Sequence, residues 1–280
     1  MSALAALLAL ASSASWGTGD FLGGIRSRLM SPLAVMAVSQ PVGLVLLGVA
    51  VAARASAPPG ASVAWAVPAA LFGTVGLAAF YRGMAGGTIT VVAPIASAAA
   101  VIPVAFGLAT GDRTSHLQQA GFALAIGGVV LTSLEPRRAR AQGRFAAGAG
   151  FGLVATASFG VYFVLLHAAS GDDFLWPAFL FRVVSTSLVW AAVLALGTDL
   201  RGVRGHAAVL AAIGVFDTGG NTLFAAASTR GSVSVTSVLA SLYPVVTVLL
   251  ARRRLHERVH RLQEAGIVLT LAGIVLVSAG

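Results

Sequence analysis

Residues 111–133, GDRTSHLQQAGFALAIGGVVLTS, and residues 256–278, HERVHRLQEAGIVLTLAGIVLVS, are one stretch written twice. A shift of 145 places Arg113, Leu117, Gln118, Ala120, Gly121, Gly128 and Ser133 on Arg258, Leu262, Gln263, Ala265, Gly266, Gly273 and Ser278, with Asp112 on Glu257. In an apolar chain Leu, Val and Ala match cheaply, so the Gln, Gly and Arg identities carry the weight. Working outward, a shift of 144 places Phe72, Thr74, Gly76, Phe80 and Gly87 on Phe216, Thr218, Gly220, Phe224 and Gly231. Near the start, Ala14-Ser15-Trp16-Gly17 lies on Ala157-Ser158-Phe159-Gly160. One residue of slip between blocks is what a change of loop length produces. The chain therefore reads as two copies of one unit, residues 1–134 and 145–280, joined by a basic connection at 135–144.

Composition says what solvent surrounds those copies. Of 280 residues, 58% are hydrophobic and 10% charged, and the mean hydropathy is +0.91. A soluble domain needs roughly 25% charged residues to face water, so a soluble enzyme, a disordered chain and a free nucleic-acid binder are excluded. About 20 apolar residues cross a bilayer as a helix. Ten such runs are present, at about 3–23, 32–53, 63–82, 88–109, 117–134, 145–168, 174–196, 207–228, 232–251 and 262–279. The first reads as a span and not as a cleaved leader, because no basic residue precedes it and further spans follow directly. Zero cysteines exclude disulfides and thiol chemistry.

The net charge of +9 comes from 18 basic residues, every one an arginine. In a soluble protein that would suggest nucleic acid; here most arginines sit between apolar runs, where they set topology and meet lipid headgroups. Alternate connections hold Arg26, Arg28, Arg82, Arg137, Arg138, Arg140, Arg144, Arg201, Arg204, Arg252, Arg253, Arg254, Arg258 and Arg261, fourteen of the 18. The opposite face has Arg54, Arg113 and Arg230, and Arg182 lies inside a span. The rule that cytoplasmic loops are positive predicts both termini outside the cytoplasm of a multi-pass inner-membrane protein.

Two five-span units joined end to end must lie in opposite orientations. The expected fold is an all-α integral membrane protein with ten transmembrane helices in two inverted five-helix repeats. Inverted repeats are common in secondary transporters, which bind substrate near midplane between the halves; a duplication kept only for stability is the alternative.

The residues resemble the drug/metabolite transporter superfamily, and within it the EamA-type ten-helix carriers. The resemblance spans nearly the whole chain. It is carried by Leu255-His256-Glu257-Arg258, Gln263-Glu264-Ala265-Gly266 and Ala272-Gly273-Ile274-Val275, and in the first repeat by Gly111-Asp112-Arg113 and Gln118-Gln119-Ala120-Gly121. Ser15-Trp16-Gly17, Arg182 and Pro244 fit it too, while Ala37 stands where Arg182 maps and the first repeat has Asp for Glu. The resemblance implies a carrier of small polar metabolites, often an exporter of amino acids or related compounds.

Charges inside a span cost at least ~2.5–3.5 kcal/mol and so face the protein interior. Asp217 and Asn221, four apart, share a helix face in the eighth run, and Arg182 in the seventh can neutralise Asp217. They are candidates for substrate binding, with Asp217 and Asp20 as candidates for proton coupling; a structural ion pair is the alternative. Trp16, Tyr81, Ser158 and Tyr162 are candidate lining residues, as is Gln40 one residue before Pro41. The ninth run is rich in hydroxyls, with Ser234, Ser237, Ser241 and Tyr243 ahead of Pro244; the fourth has Thr90, Pro94, Ser97 and Pro103. A proline leaves a carbonyl that a cavity can use. Asp112 and Glu257 read as caps of the last helix of each repeat. His256 and His260 sit among arginines, a poor place for a divalent cation, so no metal and no cofactor is expected.

No nucleotide-binding or nucleophile motif is present. The expected function is secondary transport of a small polar or amphipathic metabolite by alternating access, coupled to protons, in a monomer or homodimer embedded in the lipid bilayer. A facilitative uptake carrier and an intramembrane enzyme acting on lipid-linked substrates are the competing readings.

Overall fold

The computed structural model describes residues 2–58, 60–87, 89–133, 144–171, 173–255 and 261–279. Among them all regular structure is helical: α1 (Ala3–Arg26), α2 (Pro32–Arg54), α3 (Ala66–Gly86), α4 (Ile89–Ser97), α5 (Val101–Ala109), α6 (His116–Ser133), α7 (Arg144–Ser170), α8 (Leu175–Leu196), α9 (Ala207–Ser228), α10 (Val233–Ala240), α11 (Tyr243–Leu255) and α12 (Arg261–Ala279). The connection at 135–144, apart from the start of α7, lies outside the described residues, as do His256, Glu257, Arg258 and His260; nothing is described of the side chains of Thr90 and Pro94.

Among the described residues six stretches are long and apolar enough to cross a membrane: Pro32–Arg54, Ala61–Gly86, Gly150–Ser170, Leu175–Leu196, Arg201–Ser228 and Val233–Ala251. α1 has 24 residues but carries Ser12, Ser13, Ser15, Thr18 and Asp20, and α6 and α12 have 18 and 19 residues. The fourth and ninth runs are broken at matching places. One divides around a 3₁₀ turn at Ala98–Ala100, the other around Ser241 and Leu242. Proline explains why each helix restarts where it does: Pro103 and Pro244 fall in the first turns of α5 and α11, where a missing N–H costs least.

Helix starts are capped by local chemistry. Ser31 Oγ accepts the Ala34 amide at 3.1 Å, with Pro32 opening α2. At α6, Ser115 Oγ accepts the Gln118 amide while Gln118 Oε1 accepts the Ser115 amide, both at 3.1 Å. This reciprocal box accounts for Gln118 in the first copy of the motif; the second copy has His260 where Ser115 maps. Asp112, by contrast, does not cap the helix that follows it. Its Oδ2 accepts from Ser234 Oγ at 2.7 Å and from the Ser234 amide at 3.3 Å, so it caps α10 in the other repeat. Sequence spacing missed this because the connection folds across to a helix far away in the chain.

The broadest helix contacts join the two repeats: α6 with α12, α3 with α7, α1 with α9, and α2 with α8. Exchanging the repeats maps this set onto itself. α1 and α9 run antiparallel. Ser12 Oγ donates to the Gly220 carbonyl at 2.8 Å, Ser15 Oγ to the Phe216 carbonyl at 2.6 Å, and Arg26 meets His206 at 3.2 Å. α2 and α8 are antiparallel too: Arg54 at the end of α2 reaches Asp173, just ahead of α8, at 2.9 Å, Gly48 faces Phe179, and Gly43 lies beside Arg182.

Close approaches repeat as well. A Cβ on Gly220 would strike the Trp16 ring, and one on Gly76 would lie 2.7 Å from Phe159. These are equivalent residues in the two copies. Without side chains at these positions the aromatic rings pack onto bare backbone, as close helix packing in a membrane requires.

Candidate functional site

Near the middle of the bundle, α1, α2, α3, α7, α8, α9 and the start of α11 enclose one cavity. It is lined by Trp16, Asp20, Gln40, Gly73, Thr74, Leu77, Phe159, Tyr162, Phe163, Phe181, Arg182, Asp217, Asn221 and Tyr243. At its polar end Arg182 Nη1 meets Asp217 Oδ2 at 2.9 Å; the arginine side chain is 1% exposed and the aspartate 15%. The Phe181 ring lies 5.6 Å from the guanidinium centre, close enough for a favourable cation–π contact. Asn221 Nδ2 donates to the Asp217 carbonyl at 2.7 Å, one turn back on α9, and the Tyr162 hydroxyl donates to Asn221 Oδ1. A chain of polar groups thus runs from α8 through α9 to α7.

The position of Arg182 depends on a neighbour with no side chain. A Cβ on Gly43 would collide with Thr218 Oγ1 and lie 3.1 Å from Arg182 Nε, so α2 can pass here only as glycine. Among the described residues Arg182 Nε and Nη2 are buried without a hydrogen-bond partner, as are Gln40 Oε1, the Thr218 hydroxyl and the Tyr243 hydroxyl. Buried polar groups are normally satisfied; of these, Arg182, Gln40 and Tyr243 line the cavity. Aromatic rings pack around these groups: Trp16 lies against Phe163 and Phe224 at 5.8 and 5.9 Å between ring centres, and Tyr162 against Phe181 at 5.4 Å.

Eight of the residues singled out by sequence line this cavity: Trp16, Asp20, Gln40, Tyr162, Arg182, Asp217, Asn221 and Tyr243. Four stand elsewhere. Tyr81 lays its ring on Gly23 of α1 and stacks on Phe80 at 6.3 Å. Ser158 packs its Cβ against Gly76, while Ser237 is buried on α10 and Ser241 at the break after it, both hydroxyls without a partner among the described residues. Sequence reasoning passed over Gly73, Thr74, Leu77, Phe159, Phe163 and Phe181. The repeat held a signal for four of them, since Phe159 aligns with Trp16, Phe163 with Asp20, Gly73 with Asp217 and Leu77 with Asn221. Among the described residues no three His, Cys, Asp or Glu side chains cluster to hold a metal ion.

The fold and the cavity define a multi-pass helical membrane protein that surrounds a small cavity with a few charged and polar groups among aromatic and aliphatic ones. The chain belongs to the EamA-like transporter family, whose profile matches residues 3–134 and again residues 146–279. Members of this family are membrane transporters of small molecules, not enzymes. A comparison with curated proteins finds no match. Among solved structures, one described only as "Crystal structure of protein" has a TM-score of 0.75 at 16% identity, covering 98% of this chain and 98% of its own. That likeness bears on the fold.

Proposed function

We propose that this protein is a secondary active transporter that moves a small polar or amphipathic metabolite, of the amino-acid or related class, outward across the inner membrane. Two five-span halves in opposite orientation rock about the central cavity, with the arginine-rich face in the cytoplasm and both termini outside. The inverted arrangement is supported by the antiparallel packing of α2 on α8, elements that occupy the same place in each repeat, and by the odd span count of each unit. The observation that carries the reading is the cavity, where helices of both repeats join an intramembrane ion pair to aromatic walls.

In this reading Arg182 receives a carboxylate of the cargo or holds Asp217 charged, and Asp217 carries the coupling proton. The aromatic wall takes the apolar part of the cargo. Liposomes containing the purified protein test it. A pH gradient drives transport by the native chain, and Asp217→Asn abolishes the driven component; full gradient-driven transport by that variant removes Asp217 from the coupling step.

A further inference from the structure

Three charged side chains line the cavity: Asp20, Arg182 and Asp217. Arg182 and Asp217 neutralise each other at 2.9 Å. Asp20 is 8% exposed, and among the described residues no hydrogen bond or ion pair joins its carboxylate. A carboxylate within a membrane span that serves only the fold is expected to have a partner, because leaving it unpaired in a dry medium is expensive. The cavity thus holds one carboxyl group that none of its described walls pairs, a group that carries charge in so dry a place only when a cation lies beside it.

A second, independent observation points the same way. Gln40 is 2% exposed, lines the same cavity, and its Oε1 accepts no hydrogen bond from the described residues. Tyr243 adds an unpartnered hydroxyl. One carboxylate and two neutral acceptors match a group with unit positive charge and several N–H donors, which is the inventory of a primary ammonium. Trp16 stands four residues from Asp20 on α1, hence on the same helix face, and an indole ring favours a nearby cation. A small inorganic cation asks for a fuller shell of oxygens than these groups supply.

We propose that Asp20 and Gln40 form a cation subsite that receives a primary ammonium group of the transported compound. The subsite belongs to the first repeat, on α1 and α2, whereas Arg182 and Asp217 belong to the second, on α8 and α9. Neither repeat duplicates the other's charge: the register that places Trp16 on Phe159 places Asp20 on Phe163, and Asp217 falls on Gly73. A compound with an ammonium at one end and an acceptor group for Arg182 at the other touches both halves, so its binding ties together the parts that must move. This rests on the transport reading only in calling the ligand cargo.

Binding to the purified full-length chain, measured by calorimetry at neutral pH, tests the subsite without any flux. The probes are phenethylamine and its neutral isostere 2-phenylethanol. The native protein binds the amine roughly tenfold or more tighter than the alcohol, as a charge-assisted contact requires. Asp20→Asn removes most of that difference, Asp20→Glu restores part of it, and Gln40→Leu narrows it by a smaller factor. Equal affinity of the native protein for the two probes overturns the proposal with no variant needed, and so does an Asp20→Asn protein that keeps the full preference. A protein that binds the amine selectively yet moves no solute in liposomes keeps the subsite and loses the transport reading.

Discussion

Two sets of contacts in this molecule behave oppositely under exchange of the repeats. The scaffold is nearly symmetric. Trp16 lies on Gly220 as Phe159 lies on Gly76, and Gly17 meets the Tyr243 carbonyl and Val246 as Gly160 meets the Ala99 carbonyl and Ile102. The cavity is not symmetric. Where the second repeat has Tyr162, Arg182 and Asp217, the first has Gly19, Ala37 and Gly73. Duplication has kept the backbone approaches that let helices close on one another, because a side chain there would strike backbone or a ring. Polar cavity groups have diverged, because a ligand is itself asymmetric and needs different chemistry at its two ends.

The largest test of that contrast is to break the asymmetric ion pair. Arg182→Met leaves Asp217, 15% exposed, with no counter-charge and only the Asn221 amide at 3.4 Å, and destabilises the protein by about 3 kcal/mol. Arg182→Met with Asp217→Leu recovers most of that stability in thermal unfolding but not transport, as expected for a pair kept for its chemistry. Next come the symmetric approaches. Gly17→Ala and Gly160→Ala each drive a Cβ into the neighbouring helix and cost about 1–3 kcal/mol through overpacking. Melting curves of the two variants should agree; a silent substitution at either site breaks the symmetry argument.

Smaller effects sharpen the comparison. Tyr162→Phe removes the donor to Asn221 at about 1 kcal/mol, and transport kinetics should show a loss larger than the stability change implies. Least costly is Arg54→Ala. Its pair with Asp173 has the arginine 46% exposed, so the loss is about 0.2–1 kcal/mol and fades with added salt, readable as a salt-dependent melting difference.

Much of the cavity is legible in the sequence, for one reason. Polar side chains are expensive within spans, so Asp20, Gln40, Arg182, Asp217 and Asn221 stand out against an apolar background. Phe163, Phe181 and Leu77 line the same cavity and do not stand out, because an apolar side chain facing a ligand looks the same in sequence as one facing lipid. Hydroxyls fall between. Ser237 and Ser241 share a stripe with the pathway pattern but stay buried on α10 and at the break after it, since a serine can be buried between helices at little cost. Asp112 reads as the cap of its nearest helix, yet distance along the chain says nothing about which helix end a connection folds over.

By itself the sequence determined the solvent, the apolar runs, the duplication and the short list of intramembrane charges. These follow from composition and periodicity, which are local properties. Only the tertiary structure decided that α1 packs on α9 and α3 on α7, that Asp112 crosses to α10, and that Asp20 has no counter-charge among the described residues while Arg182 and Asp217 pair. Such pairings depend on which surfaces fit when the two repeats interlock, and no local pattern in a chain surrounded by lipid encodes that fit.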